Sequence, residues 1–254
     1  MAAEPEVGGD AAEPDFGMVA NAQLRDGGPR YTETPIDPYA TDAPAVAEPW
    51  NAVTAALFVV IAVVWLVRLR GRYAAYPFLT STLPILLVGG IGGTLYHGYR
   101  TRWIYFILDV GPIQLLALAG AVFLAIRLWN RRGWLYLFGA LGVYTGLGAL
   151  LFVLVLPRSR QVAVSLNYLA LATVILLPMV LLLIKTHFRH GCWVVAGFVS
   201  FAIAWFFRTW DERAGVYLPM GCHWLWHTFG AGAVAFVIEF YYRVEGEERG
   251  EPRR

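Results

Sequence analysis

The chain has 254 residues, 58% of them hydrophobic and 15% charged, with a formal net charge of +2. Soluble domains carry about a quarter charged residues, so this chain has too little polar surface to cover a soluble core, and a bilayer is its expected solvent. A balance so near neutral, with scattered arginines, also argues against nucleic acid as a partner.

Residues 1 to about 45 are rich in Ala, Pro and Gly and hold nine carboxylates through Asp42 against Arg25 and Arg30. They are expected to form a disordered acidic tail. No apolar h-region interrupts them, so no signal peptide is expected. From Trp50 onward apolar runs follow at about 50–69, 77–98, 103–128, 133–156, 161–185, 190–208 and 217–242. Each has the ~20 residues that a helix needs to cross the hydrocarbon core. The expected fold class is all-α: a polytopic membrane protein, a seven-transmembrane-helix bundle over residues 46–243, with a charged C-terminal tail over 244–254.

An odd number of crossings places the two ends on opposite sides. With the C-terminus inside, twelve basic residues fall in inner segments, Arg68, Arg70 and Arg72 among them. Eight fall outside, counting Arg208 and Arg213 after the sixth span and two in the acidic tail. The positive-inside rule then orients the N-terminus outward and the C-terminus to the cytoplasm, in the plasma membrane if the chain is bacterial. Cys192 and Cys222 fall at opposite faces and are not expected to pair.

Ionisable groups inside a span are costly and ask for a reason. Four stand out: His97 near the end of span two, Asp109 in span three, and His223 and His227 in the first turns of the last span. At 1.5 Å per residue, His97 lies roughly 5 Å below Arg100 and Asp109 roughly 10 Å below Arg102, with His223 at a comparable depth. The four therefore share one level of the bundle, and reversing the topology would move them together.

His223 and His227, at i and i+4, project from one helical face. With a third imidazole from another helix they make a three-nitrogen site suited to zinc, leaving a fourth position open for water. A metal there would activate the water and polarise a carbonyl. Asp109 would accept the water's proton and return it to a leaving group, or would orient a ligand histidine. The plain alternative is a set of interhelical hydrogen bonds. Haem fits less well, because an i, i+4 pair cannot clasp one iron from both sides. His187 and His190 lie at the other end of the bundle beside Lys185 and Arg189, and read as interfacial anchors.

Four stretches carry a resemblance: "AEPWNAVT" (47–54), "GGTLYHG" around His97, "LDVGPI" (108–113) and "HWLWH" (223–227). In that order, on helices one, two, three and seven, they resemble the alkaline ceramidase family and its wider superfamily of seven-helix membrane hydrolases. That superfamily includes the adiponectin/progestin receptors and the Per1-type lipid-remodelling proteins. The resemblance covers about residues 36 to 242. It implies that His97, His223 and His227 bind zinc and that Asp109 handles the water. It further implies hydrolysis of an amide in a ceramide-like N-acyl lipid within the bilayer, releasing a fatty acid and an amine such as a sphingoid base.

Two departures matter. The family has a serine four residues before the helix-two histidine, where this chain has Gly93, so stabilisation of the developing oxyanion is in question. Thr94 is the nearest hydroxyl, about 100° around an ideal helix. Animal alkaline ceramidases also bind calcium through an acidic segment before the first helix. Here Asp37, Asp42 and Glu48 are the candidate ligands, although Asp37 and Asp42 also read as plain tail acids. Glu48, with Asn51, stands where a carboxylate suits a helix N-terminus. The competing function is a ligand-sensing seven-helix protein of the adiponectin/progestin-receptor type with structural or weakly catalytic zinc. A transporter is disfavoured, because no inverted repeat is visible.

Overall fold

The computed structural model describes residues 24–155 and 159–247. The outer parts of both predicted tails, 1–23 and 248–254, and the last residue of the predicted span 133–156 lie outside them. The described residues form helices and turns with no strand. The helices are α1 Pro49–Ala55, α2 Leu57–Arg68, α3 Pro77–Tyr99, α4 Trp103–Trp129, α5 Trp134–Leu154, α6 Arg160–Lys185, α7 Gly191–Ala214 and α8 His223–Glu247. Pro49 and Pro77 open α1 and α3, where a missing N–H costs nothing.

Five stretches are long and apolar enough to cross a membrane: Pro49–Arg68, Pro77–Tyr99, Trp103–Leu154, Val162–Lys185 and Gly191–Ala214. The third is 52 residues long and contains the 3-10 turn Asn130–Gly133 between α4 and α5. α8 is not among the five, because its histidines and acids lower its hydropathy. On length and composition alone the expected seven crossings are therefore not reached. The outer faces carry exposed Val60, Val64, Phe138, Val143 and Phe152, the surface a lipid solvent accepts.

Glycine and proline set the close packing of α3 on α4. Pro112 has no N–H for the Leu108 carbonyl four residues earlier. A Cβ on Gly92 would lie 2.5 Å from that carbonyl oxygen, so only glycine allows the two backbones to approach this closely. This contact brings position 93 against Asp109.

Three expected boundaries change. Residues 24–34 are not tail: Leu24, Asp26, Tyr31 and Thr34 are buried, and this part of the segment is tied to one end of the bundle through Asp211 and Arg100. Apolar burial and an ion pair hold it there, and its acidic composition hid both. At the other terminus α8 runs on to Glu247, and buried Glu245 accepts the free N–H groups of Phe78 and Leu79 at the start of α3 (2.8 and 3.3 Å). Finally, the sixth span extends past Arg208 to Ala214. Its buried residues Val194, Gly197, Ser200, Ala204, Arg208 and Asp211 form one stripe at helical spacing, so Arg208 lies inside the bundle rather than in an outer loop.

Candidate metal centre

α3 supplies His97, and α8 supplies His223 and His227; all three are buried. One ring nitrogen from each lies within 4.8 Å of the others. Ring centroids are 4.7 Å apart for His97–His227, 4.8 Å for His223–His227 and 5.5 Å for His97–His223.

The outer nitrogens are engaged in ways that turn the inner ones toward a common point. His227 Nδ1 lies 3.0 Å from the Asn51 carbonyl oxygen, which can only accept, so Nδ1 carries the proton and Nε2 is free to ligate. His97 Nδ1 donates to Glu48 Oε2 at 2.5 Å. Glu48 is gripped twice, because its own N–H donates to the His97 carbonyl at 3.0 Å. Carboxylate and carbonyl partners of this kind fix the tautomer and ring orientation of metal-binding histidines. His97 Nε2 and both ring nitrogens of His223 are buried and make no hydrogen bond among the described residues. Buried polar atoms are ordinarily paired; one such nitrogen from His97, one from His223 and Nε2 of His227 make a three-ligand set that fits a divalent metal such as zinc.

The α8 N-terminus is held from outside. Asp211 Oδ1 accepts the N–H groups of Cys222 (2.7 Å) and His223 (2.8 Å). Its Oδ2 accepts from Thr32 N at 2.9 Å, tying the N-terminal segment to the same carboxylate. Gly221 precedes this cap at φ +64°, and a Cβ there would collide with Asp211. Gly221→Ala is therefore expected to cost about 1–3 kcal/mol, read as a lower unfolding midpoint in detergent; an unchanged midpoint would show that the cap tolerates a side chain.

Tyr31, from the N-terminal segment, stacks on the His223 ring with centroids 3.7 Å apart. Beneath this end lies a cavity lined by Asp109, Arg208, Tyr31, His223 and His227 and continuing between apolar walls. Along α3 the lining runs from Gly93 to Phe78, fifteen residues or about 22 Å.

The remaining expected residues fare differently. Asp109 reaches the cavity, and Gly93 makes room for it: a Cβ at 93 would lie 2.7 Å from Asp109 Oδ1. Gly93→Ala should displace this carboxylate; if the cavity hydrolyses a lipid, turnover should fall on the order of tenfold at equal metal content, and equal turnover by the two proteins would sever that link. Thr94 is corrected, for its hydroxyl donates to the Gly90 carbonyl of its own helix (2.8 Å) and it is not part of the cavity wall.

The calcium ligands Asp37, Asp42 and Glu48 are not brought together; the histidine trio is the ligand cluster among the described residues. Asp37 and Asp42 are exposed, and Asp37 accepts the N–H of Tyr39 at 2.9 Å. Glu48 is committed to His97 and to the guanidinium of Arg100. Arg100 also donates to Asp26 Oδ2 (2.7 Å) and the Pro29 carbonyl (2.8 Å), all without solvent exposure. This cation sits where the sequence suggested a metal. Its side chain turns inward from a left-handed backbone at the end of α3, φ 52°, a conformation uncommon for arginine. Burial pushes the Glu48 carboxyl up, but Arg100 and His97 outweigh it and hold it at about 2. Added calcium is accordingly expected to leave the unfolding midpoint unchanged; a midpoint that rises with calcium would contradict this arrangement.

Nor does Glu48 cap α1. Glu33 does so, accepting from Trp50 N (2.7 Å) and Asn51 N (3.0 Å). A carboxylate given to a cation and a histidine is not available for the helix end. Cys192 is exposed, Cys222 is buried, and both are free. His190 meets Glu247 at 2.9 Å at the far end of the bundle.

Asp26, Tyr31, Glu33, Arg208 and Asp211 all reach this end of the molecule and escaped the sequence reading. Arg208 and Asp211 had a usable signal, since they continue the small-residue stripe of α7. The other three lie in a segment without periodicity. No protein-family model matches the chain, and a search of curated proteins found no match.

Proposed function

We propose that the chain is a metal-dependent intramembrane hydrolase that cleaves the amide of a ceramide-like N-acyl lipid, with His97, His223 and His227 holding zinc. The observation that carries this reading is the meeting of three buried histidines, each offering a ring nitrogen within 4.8 Å of the others, with a long apolar cavity. An acyl chain lying along α3 would bring its carbonyl to the histidine end. The membrane arrangement that goes with it has seven crossings. The turn at Asn130–Gly133 divides the 52-residue stretch, which at ~1.5 Å per residue is far too long for one crossing. α8 is the last crossing, its polar residues turned inward. The basic cluster Arg68, Arg70 and Arg72 at the opposite end supports an outward site and a cytoplasmic C-terminus.

A bound zinc ion supplies Lewis acidity, making water a nucleophile at neutral pH and polarising the acyl carbonyl. The residues do the rest. Glu48 and the Asn51 carbonyl hold two histidine rings in register. Asp109 accepts a proton from the attacking water and passes it to the amine nitrogen as the C–N bond breaks. A C–O bond has then replaced it, and the products are a fatty acid and an amine. Tyr31 and the segment around it exclude bulk water from above.

The test is to purify the protein in detergent, measure bound metal, and incubate it with ceramides, other N-acyl lipids and ester lipids under mass-spectrometric readout. Release of fatty acid by the wild type and not by Asp109→Ala is expected. Bound zinc with no lipid turned over would discard the hydrolase and favour the ligand-sensing alternative.

A further inference from the structure

Arg208 is a permanent cation on a membrane-crossing helix, only 2% exposed. An arginine at such a place is costly, and by default marks function. Aromatic faces surround its guanidinium: Tyr168 at 4.9 Å, Trp226 at 5.1 Å and Tyr31 at 5.9 Å. They pack around the fork, and Tyr31 also hydrogen-bonds it. Its level in the bundle follows from α7. Asp211, which accepts the His223 N–H, lies one turn further along the same buried stripe. Arg208 is thus about 4.5 Å deeper, beside the His223 ring, and both side chains flank Tyr31 and line the cavity with Asp109.

We infer that Arg208 binds acyl oxygens at the head of the cavity: the carbonyl oxygen that becomes negative during attack, and the carboxylate of a fatty acid. This rests on the hydrolase reading for the first role; the second, fatty-acid binding, requires only the cavity. When the water oxygen bonds to the acyl carbon, the C=O electron pair moves onto oxygen. It returns as the C–N bond breaks and the nitrogen takes up a proton. Throughout, the guanidinium donates to that oxygen and gives up no proton of its own. Gly93 offers no hydroxyl for this task and Thr94 faces its own backbone, whereas a planar fork matches two acyl oxygens at once.

The experiment uses the zinc-loaded protein in nanodiscs and measures direct binding of radiolabelled palmitate and hexadecanol, equal chains that differ in charge. The wild type should prefer palmitate, and Arg208→Gln should lower the palmitate-to-hexadecanol affinity ratio by about tenfold or more at equal zinc content. An unchanged ratio overturns the assignment whatever the absolute affinities, as does a wild type with no preference or no binding. If Arg208→Gln binds neither ligand, the ratio is read from Arg208→Lys, where a fall supports the fork and an unchanged value refutes it. Lipid turnover by Arg208→Gln should drop by roughly 10²–10³-fold. A palmitate preference that depends on Arg208 in a protein that hydrolyses nothing would leave the inference standing while the hydrolase reading falls.

Discussion

Replacing His223 and His227 together by alanine is expected to abolish metal binding and, with it, lipid hydrolysis. The two rings supply two of the three nitrogens in the cluster, and the third, His97 Nε2, cannot hold a divalent ion alone. Loss of a ligand's outer partner already costs about 10–100-fold in affinity, so loss of two ligands should exceed that by a wide margin. The fold should survive the change. Zinc contributes stability where it is bound, but the helices are held by apolar packing at the far end, through Leu79, Leu83, Leu124 and Ile238, and by the Asp211 cap on backbone N–H groups that alanine retains. Metal analysis of the purified variant decides the matter. Wild-type zinc in the double variant would remove the centre from these histidines, whatever its activity.

The second large effect is expected at Arg100. Arg100→Met would leave the Asp26 and Glu48 carboxylates buried without their cation. Breaking a buried ion pair on one side costs about 3–5 kcal/mol, a large share of the roughly 5–15 kcal/mol that keeps a domain folded. Glu48 also orients His97, so the damage should reach the metal as a weaker zinc affinity. Arg100→Lys should recover only part of the loss, because a point charge cannot reach Asp26, Glu48 and the Pro29 carbonyl together. Thermal unfolding and zinc titration of the two variants test this. A methionine variant with wild-type values in both would mean that the buried charges find other partners.

The two effects differ in origin: the first depends on depth along helices, the second on contacts between segments distant in sequence. Composition alone was enough for a helical membrane chain, because a bilayer demands long apolar segments and leaves each one visible. The level of His97, Asp109, His223 and His227 was also legible. Helical rise converts residue number into depth, and polar residues are conspicuous among Leu, Val and Phe. The glycine at position 93 was visible as a departure. That its open space is filled by the Asp109 carboxylate was not, since the close approach of α3 and α4 depends on Gly92 meeting a backbone carbonyl.

What only the tertiary structure decided lies at contacts distant in sequence. Glu48 reads as a helix-start carboxylate until Arg100, 52 residues away, and His97 claim it, leaving the helix end to Glu33. Tyr31, Thr32 and Asp26 sit in a stretch whose composition says tail. They fold because Asp211 and Arg100 supply buried partners that no local pattern announces. Arg208 was counted with the outer loop, because a charge after an apolar run ordinarily ends a span. Its burial depends on the aromatic faces of Tyr31, Tyr168 and Trp226, gathered from three separate segments. Depth along a helix is a property of the chain, and so the sequence carried the histidine cluster. The partners that orient and charge that cluster depend on which helices face one another, and that is settled only by packing.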